Sequence, residues 1–374
     1  MTRLRTALIG CGKVGLTHAT ALASLPGSEL VAVCDRTMAG AEDFARQFGV
    51  RPYADVATML RESDVQAVSI CTPHPLHADA IEIAAAYGVH SLVEKPLAAT
   101  IADCDRAIAA CTAAGVKLGV MSQRRFYPPI QRMRAAIDAG KIGRPALATV
   151  DALGWRDAAY YASNPWRGTW AGEGGGVLVN QAPHQIDLLL WLMGPVQELY
   201  GSWDNVNHPG IEVDDTAVAV IRFRGGGLGT IVVSNAQNPG VHGRIHVHGS
   251  NGASIGTQTD FGSMFISGVT TSVDPPVNDL WTIEGEDGLL PGWQDEDRAT
   301  AGDVDVMSRY HELQIADFLA AINEDRRPAV DGEDGRRVVE VFTAIYRSRR
   351  DHRPVSFPLS AEIGRDDLDG RLAS

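Results

Sequence analysis

The stretch from Leu4 to Gln123 constrains the fold more than any other part of the chain. Apolar runs (LRTALIG, ELVAVCD, VQAVSICT, HSLVE, VKLGVMS) alternate with helical ones (VGLTHATALASL, MAGAEDFARQFG, LHADAIEIAAAYG, TIADCDRAIAACTAAG). The apolar runs are continuous rather than alternating, as strands buried on both faces of a parallel sheet must be. The pattern predicts a doubly wound α/β domain, a Rossmann-type parallel sheet, over residues 1–123.

The first run leads into Gly10-Cys11-Gly12-Lys13-Val14-Gly15, a G-x-G-x-x-G between a strand and a helix. There Gly10 allows a tight turn, Gly12 lets the backbone approach a pyrophosphate, and Gly15 allows close helix packing; the helix N-terminus, from Lys13 and Val14, offers N–H groups to the anion. The second strand ends in Asp35, at the distance where a carboxylate accepts hydrogen bonds from an adenosine ribose. That carboxylate would repel a 2′-phosphate, so NAD is expected over NADP, with Arg36 beside it working partly against that preference. Two further strand ends carry Cys71-Thr72-Pro73-His74-Pro75-Leu76-His77 and Val93-Glu94-Lys95-Pro96-Leu97. Thr72, Pro73, His77 and Glu94 are expected at the cofactor, and Lys95 as a cation at its nicotinamide end.

Beyond Arg124 the rhythm changes. A helix is expected from about Tyr127 to Ala139, closed by Gly140, and then strands in ALATVDALGW, ELYGSWDNVN, TAVAVIRF, LGTIVVSNA, RIHVHG and MFISGV. Helical pattern returns in HELQIADFLAAI and GRRVVEVFTAIYRSRR. This reads as an α+β domain over 124–358 with a large, mainly antiparallel sheet, followed by a tail at 359–374. A face of such a sheet needs cover, and self-association into a homodimer or homotetramer is the expected cover. The acidic segment 284–305 reads as a solvated loop or a lid near the substrate.

Composition narrows the partners. A chain of 374 residues suits two domains, and 45% apolar with 21% charged content fits a globular protein. No apolar stretch nears the roughly 20 residues of a membrane span, and the N-terminus carries no cleavable signal pattern, which points to the cytoplasm. A formal net charge of -13 argues against nucleic acid and acidic membranes. The five cysteines, without a Cys-x-x-Cys pair, read as reduced thiols.

The run GGGVLVNQAPHQIDLLLWLMG sets Asn180 and His184 four residues apart, with Asp187 three further on. On one helix these share a face, and Pro183 is tolerable only if that helix begins near Val179 or Asn180. Upstream, Trp155, Arg156 and Trp166 lie in an aromatic-rich segment suited to sugar rings, and Arg124 and Tyr127 are further pocket candidates. His242, His246 and His248 read as one strand of a hairpin rather than a zinc site.

Together GCGKVG with His18, CTPHPLHADA, VEKPLA, GKIGRP, the HQIDLLLWLMG segment and FLAAINEDRRPAVDGEDGRRVVEV resemble the glucose-fructose oxidoreductase, inositol dehydrogenase and MocA family of NAD(P)-dependent sugar oxidoreductases over nearly the whole chain. The resemblance implies that Lys95 lies against both the nicotinamide and a substrate hydroxyl, that the peptide before Pro96 is cis, and that His184 faces the cofactor. It implies hydride transfer from a ring hydroxyl of a sugar or glycoside, the 3-hydroxyl of a pyranoside first, with His184 as general base and Lys95 orienting. Asn180 stands where inositol dehydrogenase-like members carry aspartate, which weakens an inositol assignment. A cyclitol dehydrogenase, a redox-neutral NAD-using glycosidase and a non-catalytic sugar sensor are the alternatives.

Overall fold

The computed structural model describes residues 2–238, 243–259, 275–303 and 305–361. The chain forms two units, one of residues 1–123 and 307–336, the other of residues 124–306 and 337–374.

The first unit is a six-stranded parallel sheet in the order β3-β2-β1-β4-β5-β6, from β1 (Leu4–Ile9), β2 (Ser28–Cys34), β3 (Arg51–Tyr53), β4 (Ala67–Ile70), β5 (His90–Val93) and β6 (Leu118–Val120). The strand order reverses between β1 and β4, and their carboxyl ends form the switch point where such sheets take ligands. Helices α1 (Lys13–Ser24), α2 (Met38–Phe48), α3 (Val56–Ser63), α4 (His77–Ala86) and α5 (Ile101–Ala114) connect the strands. Neither β3 nor α3 stands out in the sequence. The strand is three residues long with Arg51 exposed, so it offers no apolar run, and α3 starts on the Asp55 carboxylate, which accepts the Thr58 N–H at 2.8 Å.

The domain boundary expected from the sequence needs correction after residue 306. The helix Val306–Asn323 buries Ile315, Phe318 and Leu319 against Leu4, Ala21, Leu22, Leu92 and Met121, so residues 307–336 belong to the first unit. Helical periodicity tells which face is buried, not what covers it.

The second unit carries an eight-stranded sheet in the order β13-β12-β11-β7-β10-β9-β8-β14. Its strands are β7 (Pro145–Leu153), β8 (Val196–Asp204), β9 (Thr216–Phe223), β10 (Leu228–Ser234), β11 (Gly243–Gly249), β12 (Ser254–Thr259), β13 (Val277–Trp281) and β14 (Val355–Ser356). All pairings are antiparallel except β7 with β10. Along β9, Ala217, Ala219, Ile221 and Phe223 are buried while Val218 and Val220 are exposed, the period of a sheet with one covered face. The sequence reading missed β12, β13 and β14, which are short or mixed in polarity. Its strand MFISGV, at 264–269, and residues 362–374 of its tail lie outside the described residues.

The segment 284–305 is mostly helix, Leu289–Asp303, rather than loop. Pro291 and Gly292, read as loop residues, fall in its first turn, where a missing proline N–H is harmless. Trp293 meets Trp281 edge-on at 5.0 Å between ring centres, and Asp297 accepts from Arg132 at 2.7 Å. Among the described residues no helix is long and apolar enough to cross a membrane.

Candidate active site

In the first unit the glycine-rich turn is shaped by what passes behind it. Gly10 has φ +100°, and a Cβ there would lie 2.7 Å from the Cys71 carbonyl; a Cβ on Gly15 would lie 2.2 Å from the Gly10 oxygen. A Cβ on Gly12 would meet nothing within 4 Å, so this glycine borders open space at the start of α1. The Asp35 carboxylate is pinned beside the turn by the Cys11 N–H at 3.1 Å and by the Thr37 N–H and hydroxyl at 3.0 and 2.9 Å. Three acceptor positions are used, leaving one on Oδ2 for a ribose hydroxyl. Lys13 and Arg36 are exposed and Val14 is half-buried. A dinucleotide fits this cradle: the turn is closed to a side chain on one side and open on the other, at a helix N-terminus.

Between Ser91 and Ile101 only Glu94 and Lys95 escape burial, at the carboxyl end of β5, and the Lys95–Pro96 peptide is cis. Glu94 Oε2 accepts the Lys95 backbone N–H at 3.1 Å. Its Oε1 accepts from His18 Nε2 at 3.0 Å and lies 3.5 Å from His311 Nε2. Burial alone would raise this carboxyl; the two imidazoles more than offset that and hold it well below the usual carboxylate range. Their outer nitrogens are held in turn, His18 Nδ1 at 2.5 Å from Ser69 Oγ and His311 Nδ1 donating to the Met307 carbonyl at 2.7 Å. Glu94, expected at the cofactor, is thus the hub of a buried network that fixes the Lys95 backbone. His77 is likewise a splint rather than a cofactor contact: it is fully buried, with Nε2 at 2.8 Å from the Thr72 carbonyl and Nδ1 at 2.9 Å from that of Pro96. Thr72 and Pro73 stay half-buried beside Gly10's contact.

In the second unit the three glycines lead into α9 (Val177–Asn180), and α10 (Pro183–Met193) follows after a break. Asn180 and His184 therefore do not share one continuous helix face as expected. Pro183 has no N–H to continue α9 and starts α10 instead, with the Ala182 N–H returning to Val177 at 2.8 Å. Gly176 is required: a Cβ would lie 1.8 Å from the Asp214 carbonyl oxygen, while the Asp214 carboxylate takes the Gly176 and Leu178 N–H groups at 2.8 and 2.9 Å. From Glu173 to Leu189 every residue is buried except Asn180 and His184. The fold thus brings two polar side chains toward the surface on either side of the break, in an otherwise buried segment.

Asp187 turns elsewhere. It forms a buried bidentate pair with Arg125, at 2.8 and 2.5 Å. Of the other expected substrate contacts, Arg124 is buried and donates to Gln185 at 3.0 Å and Thr259 at 3.3 Å, and Tyr127 is buried at the start of α6 (Pro128–Asp138). Arg156 is fully buried, donating to the Trp155 carbonyl at 2.7 Å with its guanidinium 5.2 Å from the centre of the Tyr160 ring, and burial lowers its pKa. All three are buried, and both arginines have partners within the unit. Trp155 and Trp166 are half-buried, Trp155 packed on His208 at 5.6 Å and Trp166 under the Arg167 guanidinium at 4.5 Å. His246 pairs with Asp279 at 3.0 Å and His248 with Ser254 at 2.8 Å; His242 lies outside the described residues.

Four site-building residues escaped the sequence reading: His18 and His311 behind Lys95, and Tyr160 and Glu173 behind Asn180. His18 appeared only within the resemblance. The others have no spacing signal, because their partners lie in different elements.

Residues 4–122 match the model of an oxidoreductase family with an NAD-binding Rossmann fold, and residues 130–255 match the GFO/IDH/MocA C-terminal domain. The chain is 30% identical to the WlbA dehydrogenase of Bordetella pertussis, solved in complex with NADH and UDP-GlcNAcA, covering 96% of this chain and 99% of that one at a TM-score of 0.85. It is 28% identical to the myo-inositol 2-dehydrogenase of Thermotoga maritima, over 94% of this chain and 98% of that protein. It is 27% identical to the D-apiose dehydrogenase of Paraburkholderia graminis, over 94% and 89%.

Proposed function

The chain belongs to the GFO/IDH/MocA family of NAD-binding oxidoreductases, and from that premise we propose that it oxidises a ring secondary hydroxyl of a sugar or glycoside, the 3-hydroxyl of a pyranoside first. The observation that carries this reading is the exposure pattern of 173–189, where only Asn180 and His184 break a run of buried residues. A segment built for packing alone would have no reason to bring a histidine and an amide up at its one break.

When bound, NAD⁺ supplies the hydride acceptor. Gly12 and the start of α1 would receive its pyrophosphate, and the Asp35 carboxylate would take the ribose hydroxyls and disfavour a 2′-phosphate. His184 removes the hydroxyl proton, a task suited to imidazole because its proton exchange falls near neutral pH. Lys95 orients that hydroxyl and stabilises its developing negative charge, its backbone fixed by Glu94. Asn180, Trp155 and Trp166 complete the substrate contacts, the rings taking the apolar face of the sugar.

The open face of the large sheet supports a homodimer or homotetramer. Tyr200 and Val220 pair across β8 and β9, Leu147 and Leu228 across β7 and β10, and with Val218 all are exposed. All five thiols are free, in keeping with a reducing, cytoplasmic setting.

The test is formation of NADH from NAD⁺ with a panel of glucosides, free hexoses, pentoses and inositols. Stoichiometric NADH with pyranosides supports the reading. NADH with inositols alone moves the substrate to cyclitols, and glycoside cleavage without NADH replaces net oxidation with an internal redox cycle. No turnover by a protein that binds NAD overturns the dehydrogenase.

A further inference from the structure

The direction in which the Asn180 amide faces is set from behind. Glu173, the last residue of α8 (Trp170–Glu173), is 2% exposed. Its Oε2 accepts the Gly168 N–H at 2.7 Å, and its Oε1 accepts from Asn180 Nδ2. The same amide nitrogen donates to the Tyr160 hydroxyl at 3.2 Å, so both of its hydrogens are committed within the protein. The Tyr160 oxygen is itself fixed by Gln181 Nε2 at 3.2 Å and by Arg167, and the Gln181 carbonyl by Asn235 Nδ2 at 2.9 Å.

An ionised carboxylate only accepts hydrogen bonds. Turned the other way, Asn180 would press its own carbonyl oxygen against Glu173 Oε1, two acceptors in contact in a buried place. With the nitrogen held inward, what Asn180 offers outward is Oδ1. We propose that Glu173 is a positioning residue that makes Asn180 a pure hydrogen-bond acceptor toward the substrate, so the substrate group opposite it must be a donor, a hydroxyl rather than a carbonyl or carboxylate oxygen. The inference rests on the reading of Asn180 as a substrate contact.

The surroundings of Glu173 make this orientation sensitive to protonation. Burial pushes its carboxyl up to about 7, with the Gly168 N–H, the Asn180 amide and the Arg167 charge pulling it back and Asp214 adding to the rise. Tyr160 is a second titratable group against Asn180, and burial raises its hydroxyl further from ionisation.

Glu173→Gln separates the acceptor role from simple packing. The new side chain gives its carbonyl to the Gly168 N–H, so its NH₂ faces Asn180, which then turns Oδ1 inward and shows a donor to the substrate. The expected result is a KM for the sugar or cyclitol raised about 10- to 100-fold, the loss of one hydrogen bond and its replacement by a mismatch, with NAD affinity unchanged. Adding Asn180→Asp restores KM, because a carboxylate accepts from the new NH₂ and still presents an acceptor outward. An unchanged KM in Glu173→Gln overturns the proposal, as does a folded double variant that recovers nothing. The wild-type protein is the reference, so absence of NADH from it counts against the dehydrogenase reading alone. A second readout needs no turnover: the Asn180 side-chain NH₂ resonances, identified by their disappearance in Asn180→Asp, exchange slowly with water in the wild type at pH 8 and faster in Glu173→Gln. Equal exchange rates in the two proteins overturn the orienting role.

Discussion

Each unit sets a glutamate directly behind a candidate site residue, Glu94 largely and Glu173 fully buried, and the two carboxyls are shifted in opposite directions. Glu94, behind Lys95, is held well below the usual range by His18 and His311, whereas Glu173, behind Asn180, is pushed up to about 7 by burial. The difference lies in the partners: two imidazoles converge on Glu94 Oε1, while Glu173 leans on neutral donors, the Gly168 backbone and the Asn180 amide. Depth of burial therefore does not decide ionisation; the charge and number of the donors do. The first unit invests in a fixed cation, and the second in a group whose orientation depends on a proton.

On this reading, loss of the base in the second unit moves turnover and spares NAD, whereas loss of the carboxylate after β2 in the first moves cofactor binding. The largest expected effect is His184→Ala, which lowers kcat roughly 10²- to 10⁴-fold by removing the base, while the NAD dissociation constant measured by protein fluorescence stays as in the wild type. Near-normal kcat removes the base assignment. A large loss of NAD affinity breaks the division itself.

The two glutamates differ next in the sign of their pH dependence. Glu173, raised from 4.5 to about 7, contributes stability that is fully present below pH 4.5 and lost as pH rises through about 7. Unfolding in urea should shift the balance between wild type and Glu173→Gln by about 3 kcal/mol in favour of the variant from pH 4.5 to pH 8. Glu94, with its carboxyl lowered, contributes stability present above 4.5 and lost as pH falls below it. Glu94→Gln should therefore cost about 2 kcal/mol at pH 7, with that deficit shrinking in acid. The same slope for both variants would show that the two carboxyls are not in different states.

The contrast also explains what the sequence disclosed. GCGKVG and Asp35 were legible because a backbone turn and the strand after it write their requirements into adjacent positions. The antiparallel sheet was legible in its long alternating strands, such as TAVAVIRF, but not in β13, where Asn278 is buried among polar partners and breaks the pattern. His184 and Asn180 could be named from their spacing, but the break at Pro183 gives them separate helices. Glu173 and His311 could not be found: the first reads as one acidic residue in a glycine-rich loop, and the second as an ordinary polar position on a terminal helix. Arg124 and Arg156 show the same limit: a cation near aromatics looks like a ligand contact in sequence, and only the fold reveals the carbonyls and amides it also bonds.

The smallest predicted effect tests the cofactor half alone. Asp35 is anchored by three hydrogen bonds, one from the Cys11 N–H of the glycine-rich turn and two from Thr37, so its position does not depend on a bound ligand. Asp35→Ala should weaken NAD about 10- to 100-fold through loss of charge-assisted bonds to the ribose diol. It should weaken NADP less, because the carboxylate that opposed the 2′-phosphate is gone and the neighbouring Arg36 remains exposed. The ratio of the two dissociation constants is the deciding quantity, since a turn that merely collapsed would weaken both cofactors alike. An unchanged ratio would leave Asp35 as a splint for the Cys11 turn and take the source of NAD preference away from this strand end.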